Sequence, residues 1–160
     1  MPWFVFAYFL YYVWLIIPLV VVRRTEELDR VIAAFALMQV SAALVFFTFP
    51  SRMTRPTDLP DDLAGTTLRS LYAVDPGWNL FPSLHVGHSM LVALLCWSYR
   101  RDLFPVVAAG AALIAASTVL IKQHYLIDIP AGALLAAACM AAVTHGPRLA
   151  LRSDRAEAQR

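Results

Sequence analysis

Two short segments of an otherwise apolar chain carry residues that can do chemistry: Phe81-Pro-Ser-Leu-His-Val-Gly-His88 and Lys122-Gln-His-Tyr-Leu-Ile-Asp128. Each sets a histidine beside polar residues at the edge of an apolar run. Ionisable groups are costly inside a bilayer, so where they persist a functional site is the default reading. His124 and Asp128 are four residues apart. A helix containing both puts them on one face; alternatively, His124 lies just before the helix and Asp128 reaches back to its ring. Either way, a carboxylate that accepts the Nδ1 proton fixes the tautomer and leaves Nε2 as a nucleophile. A helix N-terminus at this point also favours a bound phosphate through its free N–H groups. His85 follows Pro82 by three residues, with Ser83 as an N-cap whose hydroxyl can contact an anion. A second histidine across a phosphate from the first can protonate the leaving oxygen. Two histidines and a carboxylate are the minimum set for nucleophilic phosphoryl transfer. The plainer alternative is a pair of polar caps at helix ends.

Arg52 and Arg55, in Pro50-Ser-Arg-Met-Thr-Arg-Pro56, offer two guanidinium groups that bind phosphate bidentately, and Lys122 adds a third cation. The same arginines could instead snorkel to lipid headgroups. His88, one turn beyond His85, reads as a supporting residue, and His145 as an interface residue at the opposite end of its helix. One carboxylate with no paired acidic neighbour does not resemble a magnesium site, so neither metal nor cofactor is expected.

The scaffold for these residues follows from composition. Of 160 residues 60% are hydrophobic and 15% charged, and mean hydropathy is +0.64, a balance outside the range of soluble domains. The expected fold is all-α, a polytopic transmembrane helical bundle of about five spans. These run from about Trp3 to Val22, Val31 to Phe49, Phe81 to Tyr99, Leu103 to Ile121 and Tyr125 to Val143. Small residues in the last two spans allow close helix packing in lipid. Residues 1–145 form a single membrane domain, and 146–160 a polar cytoplasmic tail. Residues 51–80 form the one long loop, which has room for a short interfacial helix. Cys96 and Cys139 fall in apolar runs and read as small buried hydrophobes. The first run has neither a basic leader nor a small-residue cleavage site, so it is expected to stay as a span. The net charge of +2 gives no reason to expect a nucleic-acid partner; membrane lipids and a phosphorylated lipid substrate are the partners expected.

Orientation follows from the distribution of cations. One set of alternate connections holds Arg23, Arg24, Arg30, Arg100, Arg101, Arg148, Arg152, Arg155 and Arg160; the other holds Arg52, Arg55, Arg69 and Lys122. The richer side is expected in the cytoplasm. The long loop, the start of the third span and the Lys122–Asp128 segment then share the outer membrane–water interface of a multi-pass plasma or inner membrane protein.

Together these residues resemble the type 2 phosphatidic acid phosphatase superfamily, the lipid phosphate phosphatases, which carries the patterns KxxxxxxRP, PSGH and SRxxxxxHxxxD. Pro82-Ser-Leu-His85 resembles the second, with Leu84 in place of glycine. Ser117-Thr-Val-Leu-Ile-Lys-Gln-His124-Tyr-Leu-Ile-Asp128 resembles the third, with Thr118 in place of arginine. The first is matched by Arg55-Pro56, with Thr48 at its lysine position. The resemblance implies His124 as a phosphohistidine nucleophile, Asp128 as its orienting partner and His85 as general acid. It implies Arg55, Ser83 and Ser117 as phosphate ligands, with Arg52 and Lys122 compensating for the absent cations. The serine-leucine-histidine core and the Lys-x-His-Tyr-x-x-Asp segment are most similar to the branch of inositolphosphorylceramide and sphingomyelin synthases, which pass a phospho-headgroup to an alcohol. Family members usually have six spans with both termini inside, so five imply a short form or a chain lacking its first span. The expected activity is hydrolysis of a lipid phosphate or pyrophosphate, with headgroup transfer as the alternative. Two other readings compete: a haem-ligating protein using His88 and His124 face to face, and a non-catalytic scaffold that has lost the family's cations.

Overall fold

The computed structural model describes residues 1–145, so the tail assigned to 146–160, with Arg148, Arg152, Arg155 and Arg160, lies outside the described residues. These residues form seven helices and no strand: α1 (Phe4–Trp14), α2 (Ile17–Val21), α3 (Thr25–Thr48), α4 (Leu63–Val74), α5 (Leu84–Tyr99), α6 (Phe104–Leu120) and α7 (Asp128–His145). Among them the all-α expectation holds.

Local chemistry explains the boundaries. The first apolar run is two helices rather than one, because Pro18 stands in the first turn of α2. A proline there has no N–H, and its ring crowds the carbonyl four residues back, that of Trp14, where α1 ends. Helix α3 begins at Thr25, six residues before the expected Val31. Glu26 and Glu27 favour that extension by placing negative charge at the helix N-terminus, and Glu27 Oε2 accepts the Arg23 N–H at 3.0 Å. The loop does hold a short helix, α4, capped by Asp62, whose Oδ1 accepts the Gly65 N–H at 2.7 Å. Helix α5 starts at Leu84, not Phe81, with Ser83 as its cap, following a cis Phe81–Pro82 bond. Helix α7 starts at Asp128, three residues later than expected, which leaves His124 in the preceding turn.

Helix α5 is the hub, packed on α7, α6, α3 and, more lightly, α1 and α2. Val92, Cys96, Val21 and Val107 form one apolar cluster; Leu91, Met38, Ala34, Ala136 and Cys139 form another. Both cysteines are free and buried in these clusters. A third cluster, Val5, Tyr8, Leu68, Leu71 and Ile121, ties α1 to α4 and to the end of α6.

The outer faces are apolar as well. Ile32, Val40, Leu44 and Phe47 on α3, Val106 on α6 and Leu134 on α7 are all more than half exposed. Helices α3 and α7 are long and apolar enough to cross a membrane, and only 22% of each apolar window is buried, unlike the core helix of a soluble protein. Helices α1, α5 and α6 are apolar but shorter.

The C-terminal ends of α3 and α6 and the N-terminal ends of α5 and α7 meet at one end of the bundle. There α5 and α7 touch backbone to backbone. A Cβ on Gly132 would lie 2.4 Å from the Ser83 carbonyl oxygen, and one on Gly87 would lie 3.1 Å from that of Gly132. The Ser83 N–H donates to the Asp128 carbonyl at 3.3 Å. Gly132→Ala must therefore push apart two backbones, which no rotamer change relieves. We expect a loss of about 1–3 kcal/mol, partly offset by alanine's higher helix propensity. Thermal unfolding in detergent checks this; a midpoint equal to the parent's would show the contact to be compliant.

Candidate active site

The turn between α6 and α7 fixes His124. Helix α6 ends in a Schellman motif: the Lys122 N–H donates to the Val119 carbonyl at 3.0 Å and the Gln123 N–H to the Thr118 carbonyl at 2.7 Å. The position that closes such a motif is usually glycine, and here it is Lys122, at φ 55°. Thr118 also accepts the His124 N–H at 3.0 Å. The histidine's backbone thus hangs from the last turn of α6, and its imidazole is free to face the start of α5.

Four side chains then form one hydrogen-bonded line. Asp128 Oδ2 lies 3.2 Å from His124 Nδ1 and also accepts the Tyr125 N–H at 2.9 Å. His124 Nε2 lies 3.4 Å from His85 Nδ1. His85 Nε2 lies 2.6 Å from the Tyr8 hydroxyl. Asp128, His124 and Tyr8 are 1–6% exposed. Of the two arrangements open for His124 and Asp128, the second is found: His124 precedes the helix and the carboxylate reaches back.

A parallel contact lies one turn further along. Tyr11 Oη is 2.8 Å from His88 Nδ1, and the His88 ring stacks on Phe35 at 5.2 Å. His88 therefore does not face His124, and the paired-histidine haem arrangement is absent. Tyr8 and Tyr11, spaced by three on α1, grip His85 and His88, spaced by three on α5. Composition gave no hint of these tyrosines, since an aromatic in an apolar helix ordinarily reads as packing or as an interfacial anchor. The one available signal was the matching spacing.

Arg55 braces the same turn from the loop. Its guanidinium donates to the Lys122 carbonyl and to Gln123 Oε1, and it pairs with Asp75 at 3.5 Å. It lies over the Tyr72 ring at 5.3 Å, while Nε has no protein partner. Gly77, at φ 81°, makes room for it: a Cβ there would lie 2.9 Å from Arg55 Cζ. Tyr72 donates its hydroxyl to the Ile121 carbonyl, and burial pushes that hydroxyl's pKa up, against the lowering effect of Arg55, so it stays a donor.

A cavity of about 440 Å³ opens at His124, walled by Lys122, Tyr125, Leu126, Met53, Thr54 and Pro56. Leu126 also borders a second, apolar groove with Ile127, Ile129 and Pro130. Three of the residues expected to hold phosphate have other partners. Ser83 Oγ accepts the Val86 N–H at 3.3 Å as the α5 cap. Ser117 donates to the Ile114 carbonyl within α6. Arg52 lies over the Trp78 ring at 5.4 Å, in a short antiparallel bridge between the two ends of the loop.

A family model described as the PAP2 superfamily matches residues 2–142. No curated protein and no solved structure matches the chain.

Lys122 separates two demands on this turn. Lys122→Gly removes the side chain from a left-handed position, where a non-glycine residue costs about 1–2 kcal/mol. We expect a higher thermal midpoint together with weaker binding of inorganic phosphate or vanadate. A lower midpoint would contradict the backbone argument, and unchanged anion binding would remove Lys122 from the phosphate set.

Proposed function

Because the chain belongs to the PAP2 superfamily, whose members are generally phosphatases or related phosphotransferases, we propose that it is a multi-pass membrane enzyme. In this reading it hydrolyses a lipid phosphate or pyrophosphate through a phosphohistidine. The observation that carries the proposal is the line Asp128–His124–His85 opening on a cavity walled by Lys122.

His124 Nε2 attacks phosphorus while Asp128 holds the Nδ1 proton. The P–O bond to the leaving group breaks as the N–P bond forms, and His85 gives a proton to the departing oxygen. Water then attacks the phosphohistidine, with His85 taking the water's proton. Lys122 on the cavity wall and Arg55, through its unpartnered Nε, neutralise the phosphoryl oxygens. Ser83 and Ser117 serve by holding helix geometry rather than by touching substrate.

The two imidazoles are in contact at 3.4 Å. An attack distance followed by a hydrogen bond to the leaving oxygen needs about 6 Å or more between those nitrogens. Substrate entry thus parts the histidine pair and frees the Nε2 lone pair of His124.

Several features support a lipid as substrate. The cavity at His124 meets an apolar groove at Leu126, and the flanks of α3, α6 and α7 are apolar. This reading counts five spans: α1 with α2 as one, then α3, α5, α6 and α7. Among the described residues, Arg23, Arg24, Arg100 and Arg101 in connections, and Arg30 in the first turns of α3, lie at the end of the bundle opposite the site. The positive-inside rule then turns the site outward. Headgroup transfer of the inositolphosphorylceramide or sphingomyelin synthase type uses the same residues with an alcohol in place of water.

Phosphate release by purified protein from a panel of phospholipid and polyprenyl phosphates tests the reading. His124→Ala should lower the rate at least about 1,000-fold, as expected for loss of a covalent nucleophile. Release by the variant at the parent rate would remove His124 from the chemistry. Release by neither protein, with headgroup transfer on adding a lipid alcohol, would select the transferase.

A further inference from the structure

The direction of every hydrogen bond in the line is set by its two ends. A carboxylate only accepts, so His124 must donate from Nδ1 to Asp128, which leaves Nε2 as an acceptor. The partner of that Nε2 is His85 Nδ1, which must therefore carry the proton. His85 Nε2 is then an acceptor, and Tyr8, at 2.6 Å, is the donor that satisfies it. No other assignment satisfies all four groups with neutral rings. Tyr8 sits on α1, far in sequence from both histidine segments, and is 1% exposed. Its ring lies 4.7 Å from that of His85, and Tyr11 packs on the same imidazole at 4.5 Å. The titratable groups facing His85 are thus Tyr8 and Tyr11 from α1, His88 from its own helix, and His124 ahead of α7.

We propose that Tyr8 is a positioning residue for His85: its hydroxyl holds Nε2 in both charge states of the imidazole and so aims Nδ1 at the oxygen that leaves, and then at the water that attacks, the phosphorus. This rests on the phosphohistidine reading above. With His85 neutral, Tyr8 donates to Nε2. When His85 takes a second proton on Nε2, supplied by solvent for the first turnover and made good in each cycle by the proton that Nδ1 takes from the attacking water, the hydroxyl turns and accepts it, a charge-assisted bond stronger than the neutral one. The Nδ1 proton is then the one passed to the leaving oxygen: the Nδ1–H bond breaks, an O–H bond forms, and a neutral ring remains with its proton on Nε2. The bare Nδ1 is now placed to take a proton from the attacking water. A hydroxyl that can both donate and accept serves the two half-reactions without moving the ring, and phenylalanine at this position cannot.

The test is the histidine ¹⁵N NMR spectrum of labelled protein in micelles at about pH 8, where an ordinary imidazole is neutral, with His85 assigned by comparison with His85→Gln. The parent should show His85 protonated at Nδ1 and bare at Nε2. Tyr8→Phe should mix the two tautomers and lower kcat by about 10- to 100-fold, with KM within about twofold. A parent spectrum with the proton on Nε2 would overturn the proposal, as would a folded Tyr8→Phe protein with unchanged tautomer and kcat. The parent spectrum needs neither a folded variant nor turnover. If no lipid phosphate is hydrolysed, the proposed activity fails while the tautomer still decides the role of Tyr8.

Discussion

The site depends first on the absence of two side chains. Where α5 crosses α7, Gly87 and Gly132 let the helices approach until the Ser83 carbonyl stands where a Cβ on residue 132 would be. The Ser83 N–H can then reach the Asp128 carbonyl. That contact joins the first turn of α5, which carries His85, to the first residue of α7, which carries the carboxylate. Van der Waals packing of this kind is the main force available between helices in lipid, where burial of apolar surface gives no advantage. Polar precision at the end of the bundle is therefore a product of apolar closeness further in.

The turn that presents His124 is organised by opposite means. Its Lys122, Gln123 and His124 N–H groups donate to the carbonyls of Val119 and Thr118, and the Arg55 guanidinium holds it from the loop. Arg55 is in turn placed by Asp75, Tyr72 and the left-handed Gly77. The long loop thus acts as a brace, with α4 fastening it to α1 through Leu68 and Leu71. An arginine that reads from sequence as a phosphate ligand is here the strut of the turn that carries His124.

Much of this was legible in the residues. The apolar runs and their charged breaks gave the helices, and Ser83 stood out as a cap because serine is among the residues preferred just before a helix. Other features were hidden for specific reasons. Pro18 lies within a run that reads as one span from Trp3 to Val22, and the end of α1 at Trp14 shows that it divides that run. The early start of α3 was obscured by Glu26, Glu27 and Asp29, which look like a solvated connection but suit a helix N-terminus. Tyr8 and Tyr11 were invisible because hydrogen bonds across 77 positions leave no local pattern. Ser117 illustrates the converse: it matches a family pattern, yet its hydroxyl is satisfied within its own helix.

Helix lengths carry a mechanical consequence. From Val31, where its polar first turns end, α3 continues to Thr48 for about 27 Å at 1.5 Å per residue, and α5, α6 and α7 measure about 24, 26 and 27 Å. The four agree with one another better than with a hydrocarbon layer of about 30 Å. A bilayer around such a bundle thins to meet it, at a small elastic cost per ångström. On the proposed function, thinning draws the headgroup layer inward at both ends and brings a lipid phosphate to the level of His124 within its own leaflet.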